Sequence, residues 1–339
     1  MKKEKIAVLG GGSWGATLAA HLGNLGHDVM IWEFVKEVAD YLEKNRHLKT
    51  LPHLKLPSSI KVSNDLSFVL KDRPIILCVV PSPAVRSTFE ACQKTGMVNP
   101  GTIIINASKG IENQTFLTMT QVVSSVLKNA GDLVAFSGPS HAEEIALGKP
   151  AVLVAASKSN EAAERTKNMF LSENFRVYTS QDPLGVQLGG AIKNVFAVAC
   201  GVIDGLKLGD NTKAALMTRG LIEMARIGKS FGAETLTFFG LSGLGDLIVT
   251  CASQHSRNRL LGDKIGSGKS VETALSEMTM VAEGYYTAKS AFMLAKKNNI
   301  DAPIIEETYK ILYEKTSPQD SMKRLMSRQV GAEMEGLVL

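Results

Sequence analysis

The chain has 339 residues, 45% of them hydrophobic and 21% charged, with a net charge of +5. That length allows two domains, and the composition is that of a soluble globular protein rather than a disordered or fibrous one. The mild positive charge comes without a long basic run, which argues against a nucleic-acid partner and fits a small anionic ligand.

Cys78, Cys92, Cys200 and Cys251 are scattered, with neither a close pair nor a metal-ligand spacing, so no metal site is expected and reduced thiols in a cytoplasmic protein are. The first residues, Met1 to Lys5, have the basic start of a signal peptide, but only Ile6–Leu9 is apolar before a glycine cluster, so no signal segment is expected.

Ile6–Leu9 reads as a short buried strand, followed at once by Gly10-Gly11-Gly12-Ser13-Trp14-Gly15 and a helix to about Leu25. Asp28–Trp32 is a second strand. Gly10, Gly12 and Gly15 fit G-x-G-x-x-G in the strand–turn–helix–strand setting that binds a dinucleotide. In that setting the pyrophosphate lies at the helix N-terminus, where free N–H groups and the macrodipole favour anions. Glu33, directly after the second strand, is either an ordinary exposed carboxylate or the acid that accepts from the adenosine ribose. No arginine follows it to neutralise a 2′-phosphate, so NAD is expected to be favoured over NADP.

The alternation continues. Pro74–Val80, Thr102–Asn106, Leu133–Phe136, Val152–Ala156 and Phe175–Tyr178 read as strands, with helices from about His141 and near Asn160–Leu171, giving a doubly wound α/β sheet. Ligands bind beyond the carboxyl ends of such strands. Ser82, Lys109 and Ser140 all lie just past strand ends; Lys109 is either a solvated loop lysine or one that faces the cofactor. His141 has no carboxylate obviously placed to orient it and reads as structural or as a support behind the site residues.

Between Pro183 and Ile203 the only charged side chain is Lys193. A helix apolar nearly all round belongs in a core, and its four glycines with Gln187, Lys193 and Asn194 argue against a membrane span. Lys193 either snorkels, pairs structurally with a carboxylate, or carries a proton. Beyond it the strands stop. Thr212–Phe231, Val271–Glu277, Thr287–Asn298 and Pro303–Tyr313 read as amphipathic helices, and the last residues, from about Gly331, as a frayed end. Asp246 lies in a small-residue turn ahead of an apolar run. Ser256 starts a helix as its N-cap, and with Arg257 it makes either a phosphate site or a merely capped helix. Gly266–Ser270 looks like a nucleotide-binding loop but lacks its first glycine, Asp263 standing there, and no buried strand precedes it. It reads as a turn.

The segments Gly10–Gly15, Ser108–Gly110, Ser137–Ser140, Gly185–Asn194, Gly243–Leu247, Ser256–Arg259 and Val281–Gly284 occur in the order found in NAD(P)-dependent glycerol-3-phosphate dehydrogenase of the bacterial cytoplasmic type, which the chain resembles over nearly its whole length. The resemblance implies an N-terminal Rossmann-type domain, residues 1–182, and an all-helical C-terminal domain, residues 183–339, of the 6-phosphogluconate-dehydrogenase type. It implies reversible hydride transfer between NAD(P)H and dihydroxyacetone phosphate, giving sn-glycerol 3-phosphate for phospholipid synthesis, and a homodimer. By matching position, Lys193 is the proton donor and acceptor, with Lys109 and Asp246 in the catalytic set. Lys109, Gly138, Ser140, Asp246, Ser256, Arg257 and Asn258 surround the substrate. Ser13, Trp14, Lys109, Ala142, Arg257, Val281 and Glu283 touch the cofactor, with the glycine turn and Glu33. The chain departs from the family at Glu33-Phe34, where a histidine or arginine is frequent, at His141, where a phenylalanine is usual, and along Asn45–Pro57.

An unperturbed lysine is a poor base at neutral pH. Burial and a neighbouring Lys109 lower its proton affinity, while a nearby Asp246 raises it; their distances decide the balance. Two other functions share parts of this pattern: a related two-domain dehydrogenase acting on a sugar acid or ketopantoate, and a non-catalytic NAD(H) redox sensor.

Overall fold

Ile6-Ala-Val-Leu9 is apolar at every position because both of its faces are covered. Ile6 and Val8 belong to one buried cluster, Ala7 and Leu9 to another on the opposite face. Ile75 and Leu77 against Ile76 and Cys78, and Ile103 and Ile105 against Ile104, divide the same way. Side chains alternate across a strand, so a strand between two helical layers reads as a continuous apolar run.

A computed structural model describes residues 3–128, 130–278, 280–329 and 331–333. Residues 334–339, most of the end read as frayed, lie outside the described residues. The chain divides into two compact units, Met1–Ser108 with Leu117–Pro183, and Lys109–Phe116 with Leu184–Leu339. Lys109 thus belongs with the second unit although it follows a strand of the first.

The first unit runs β1 (Lys5–Leu9), α1 (Ser13–Asn24), β2 (Asp28–Trp32), α2 (Lys36–Asn45), β3 (Lys61–Ser63), α3 (Leu66–Leu70), β4 (Ile75–Cys78), α4 (Val85–Thr95), β5 (Ile103–Asn106), α5 (Met119–Val126), β6 (Leu133–Ser137), α6 (Ala142–Ala146), β7 (Ala151–Ala156), α7 (Asn160–Phe170) and β8 (Phe175–Ser180). The sheet order is β3-β2-β1-β4-β5-β6-β7-β8. Neighbours are parallel except β6 and β7, which pair antiparallel from Ala135↔Ala156 to Ser137↔Val154. Leu9 registers with Trp32 on one side and Cys78 on the other, so the central strands end level. The expected doubly wound sheet is there, extended by β3 at one edge and by the reversed β7–β8 pair at the other.

The second unit runs α8 (Pro183–Gly205), α9 (Gly209–Ser230), α10 (Asp246–Ala252), α11 (Arg257–Gly266), α12 (Val271–Ser276), α13 (Glu283–Lys297), α14 (Pro303–Tyr313) and α15 (Pro318–Met326). α8 is long and apolar enough to cross a membrane by length and composition, but every residue from Gly185 to Ile203 is buried. It is the centre of the helical core, packed with Ala225, Leu261, Ala288 and Ile305 of the surrounding helices. Gly266–Ser270 is a turn: Gly266 ends α11, and Ser270 caps α12 by accepting from Thr273 N at 3.1 Å.

Candidate active site

In the first unit, the turn after β1 is made by Gly10 at φ +110°, a conformation L side chains rarely adopt. A Cβ at Gly15 would stand 1.9 Å from Gly10 O, so α1 approaches this turn more closely than any side chain permits. Gly12 is the N-cap of α1, with no side-chain cap and no acidic residue in the first turn. A Cβ there would meet nothing within 4 Å. Uncapped N–H groups of a twelve-residue helix, open space at Gly12 and half-buried Ser13 and Trp14 beside it fit a dinucleotide pyrophosphate.

Glu33, expected either as a ribose acceptor or as an exposed carboxylate, is half-buried. Its Oε2 accepts from Gly11 N at 2.8 Å and its Oε1 from Val35 N at 3.1 Å. The carboxylate therefore joins the glycine turn to the loop after β2. At the end of β6, Ser140 Oγ donates to Gly138 O at 2.8 Å, and Ala142 begins α6, which packs against α1. His141 is the α6 N-cap residue.

The second unit holds a charged cluster. Lys193 is 5% exposed and Asp246 2%. Lys193 Nζ donates to Asp246 Oδ1 at 2.8 Å and to Thr250 Oγ1 at 2.5 Å. Asp246 Oδ2 accepts from Lys109 Nζ at 2.6 Å. One carboxylate is shared by two ammonium groups, so the cluster carries an excess of positive charge. Thr250 lies one turn after Asp246 on α10, so the two share a face. Its hydroxyl donates to Asp246 O at 2.6 Å and receives the Lys193 bond. Asp246 opens α10, where a negative charge is favoured by the helix dipole.

Burial, aided by Lys109, pushes the Lys193 amine down to about 8 against the pull of Asp246. Desolvation works to raise the Asp246 carboxyl, but Lys109 and Lys193 together outweigh it and hold it below the usual carboxylate range. A lysine whose proton is exchangeable near neutral pH, aligned by two acceptors, is a general acid and base in form.

A second group lies alongside. Ser256 Oγ caps α11 by accepting from Arg259 N at 3.2 Å. Asn258, buried, donates from Nδ2 to Asn194 Oδ1 at 2.8 Å and accepts from Gly284 N, also at 2.8 Å. Asn194 follows Lys193 on α8, so this chain of bonds ties the start of α11 to α8. Arg257 is exposed at the first position of α11 and has no hydrogen bond or ion pair among the described residues. Val281 is exposed just ahead of α13, and Glu283 begins that helix four residues before the expected start.

Of the sequence-predicted residues, the structure brings Lys109, Lys193 and Asp246 into direct contact, with Ser256, Arg257 and Asn258 on the helix tied to α8. Gly10, Gly12, Ser13, Trp14, Gly15 and Glu33 gather at the α1 turn of the first unit. The sequence reading missed Thr250, although its spacing of four from Asp246 put it on the same helical face, and assigned no role to Asn194.

A glycine-turn dinucleotide fold followed by a helical unit with a buried lysine–carboxylate pair defines the class of two-domain nicotinamide-dependent dehydrogenases. The profile of the NAD-dependent glycerol-3-phosphate dehydrogenase N-terminus matches residues 5–163, and that of its C-terminus residues 182–323. A glycerol-3-phosphate dehydrogenase [NAD(P)+] of Fusobacterium nucleatum is 45% identical over 98% of this chain and 99% of its own. One from Thermoanaerobacter is 44% identical over 98% and 100%. The crystal structure of glycerol-3-phosphate dehydrogenase from Coxiella burnetii superposes with a TM-score of 0.92 at 35% identity, covering 96% of this chain and 99% of that one. The chain belongs to the NAD-dependent glycerol-3-phosphate dehydrogenase family.

Proposed function

We propose that the chain transfers hydride reversibly between NAD(P)H and dihydroxyacetone phosphate, giving sn-glycerol 3-phosphate. The observation that carries this reading is Lys193, buried and held between Asp246 Oδ1 and Thr250 Oγ1, with Lys109 on the other carboxylate oxygen. When bound, the nicotinamide supplies hydride to carbon 2 of the triose, or accepts it in reverse. Lys193 gives the carbonyl oxygen its proton during reduction and takes it back during oxidation. Burial, with Asp246 and Lys109, sets the proton affinity of that amine, and the excess positive charge favours an oxygen gaining negative charge. Ser256, Arg257 and the first N–H groups of α11 receive the phosphate, with Asn258, Gly138 and Ser140 completing the substrate contacts.

Gly10, Gly12, Ser13, Trp14 and Gly15 hold the pyrophosphate, and Ala142, Lys109, Arg257, Val281 and Glu283 make further cofactor contacts. Glu33 keeps acceptor capacity for a ribose hydroxyl beyond its two backbone bonds. A 2′-phosphate at that place would meet a carboxylate fixed by those same bonds. NADH is therefore expected to give a higher kcat/KM than NADPH, and Glu33→Ala to narrow the gap; equal or better use of NADPH by the unaltered chain rejects this preference.

Arg257→Ala is expected to raise the KM for dihydroxyacetone phosphate about 10- to 100-fold, the loss of one or two charge-assisted bonds, with kcat changed less. A substrate KM that stays put rules out the phosphate contact. The product suits phospholipid synthesis in the cytoplasm, a setting that four free buried thiols support, and the working form is a homodimer. The deciding assay is loss of NADH and NADPH absorbance on adding dihydroxyacetone phosphate. Cofactor binding without any turnover would instead favour a redox sensor.

A further inference from the structure

The segment Lys109–Phe116 leaves β5 and is counted with the helical unit. Ile111 is 3% exposed and sits in the apolar core built around α8. Phe116 packs against that same core, with Lys297 Nζ 5.7 Å from its ring centroid. Between these two anchors stands Ser290 of α13, 0% exposed. A buried helical serine can bond back to the carbonyl one turn earlier, and Tyr286 O is 3.4 Å away. The Ser290 hydroxyl has a shorter bond elsewhere: it donates to Ile111 O at 3.0 Å, and it also reaches Asn113 Oδ1. These partners are 179 and 177 positions distant in sequence, so the bonds fix a tertiary placement rather than a local turn. Lys109, two residues before Ile111, ends on Asp246 Oδ2.

We propose that Ser290, acting through Ile111 and Asn113, is a positioning residue for Lys109: it holds the strap 109–116 where the Lys109 ammonium shares the Asp246 carboxylate with Lys193. The assignment rests on the hydride-transfer reading given above. The groups facing Lys193 are Asp246, Thr250 and Cys251 of α10 and Lys109 of the strap, with Cys200 of α8 beside Cys251. If the strap loosens, Lys109 withdraws from Asp246. Lys193 then loses a repelling neighbour and has the carboxylate to itself, and both changes make its amine hold the proton more tightly.

Glycerol 3-phosphate oxidation needs that amine neutral, so its rate rises with pH as the proton leaves. Ser290→Ala is expected to move the midpoint of that rise upward by about one pH unit, the low end of the effect of one charge within ~4–6 Å. Asn113→Ala, at a half-buried position, is expected to move it the same way by less, and serves if Ser290→Ala fails to fold. Ser290→Thr, which keeps the hydroxyl, is expected to leave the midpoint in place. A purely structural serine would change thermal stability without moving the pH profile. An unmoved or downward midpoint in an active Ser290→Ala or Asn113→Ala enzyme overturns the assignment while the reaction stands. A wild-type chain with no dihydroxyacetone phosphate turnover overturns the reaction and this assignment together.

Discussion

Lys193→Met is expected to lower turnover at least ~10³-fold while NADH still binds. General acid–base catalysis contributes about 10²–10⁴ in rate, and no other described side chain bonded to Asp246 Oδ1 could replace the amine with a comparable proton carrier. Methionine keeps the length and the apolar stem of the side chain, so α8 stays packed. Asp246 keeps Lys109 as its counterion at 2.6 Å, which avoids an unpaired buried carboxylate. Lys193 is not among the proposed cofactor contacts, and the glycine turn and Glu33 belong to the other unit, so cofactor affinity is expected to be largely kept. Fluorescence titration with NADH beside steady-state turnover separates the two effects, and substantial residual rate would remove Lys193 from the mechanism.

The same amine sets a pH dependence. Its proton is lost around pH 8, because burial and Lys109 outweigh the attraction of Asp246. Oxidation of glycerol 3-phosphate, which needs the neutral amine, is expected to rise through about that pH. Reduction of dihydroxyacetone phosphate, which needs the ammonium, is expected to fall above it. The distances were what the sequence lacked. Lys193 and Asp246 lie 53 positions apart and Lys109 lies 137 from Asp246, and no periodicity reports that three such residues meet.

Other features were legible to different degrees for physical reasons. The central strands declared themselves because both faces are buried, which leaves an unbroken apolar run. β3 did not: three residues long, with Val62 its one buried side chain, it has too little pattern to register. The helices α2, α4 and α5 lie between the motifs and α15 beyond the last of them, in stretches where no candidate site residue falls. The direction of β7 was hidden as well, since its apolar run has no polarity and the reversal depends on the short α6 connection from β6. Gly284, Tyr285 and Tyr286 are weak helix formers, which is why the sequence points to a start of α13 at Thr287; the helix begins at Glu283, where Asn258 accepts from Gly284 N. The grouping of Lys109 with the helical unit follows from Ile111 joining that core, a tertiary fact that a loop sequence after a strand does not carry.

The largest stability loss is expected from Gly262→Ala. Gly201 and Gly205 stand four apart on α8, and Gly262 and Gly266 four apart on α11, so each pair lies on one face of its helix. A Cβ at Gly262 would stand 1.9 Å from Val198 O, and one at Gly201 1.9 Å from Arg259 O. Gly205 and Gly266 show the same relation, at 2.4 Å from Asp263 O and 2.4 Å from Val202 O. The two helices therefore touch backbone to backbone, and the atoms in the way are carbonyl oxygens that no rotamer change can move. An added methyl has to push α11 off α8. Overpacking of this kind costs about 1–3 kcal/mol, which for a chain of this size corresponds to a fall in Tm of about 1–4 °C. Displacing α11 also strains the Asn258–Asn194 bond and moves Arg257, so the KM for dihydroxyacetone phosphate is expected to rise in the protein that remains folded. Thermal unfolding followed by circular dichroism, with substrate KM measured well below the transition, tests both effects. A variant that melts with the parent chain would mean that α8 and α11 are not in backbone contact.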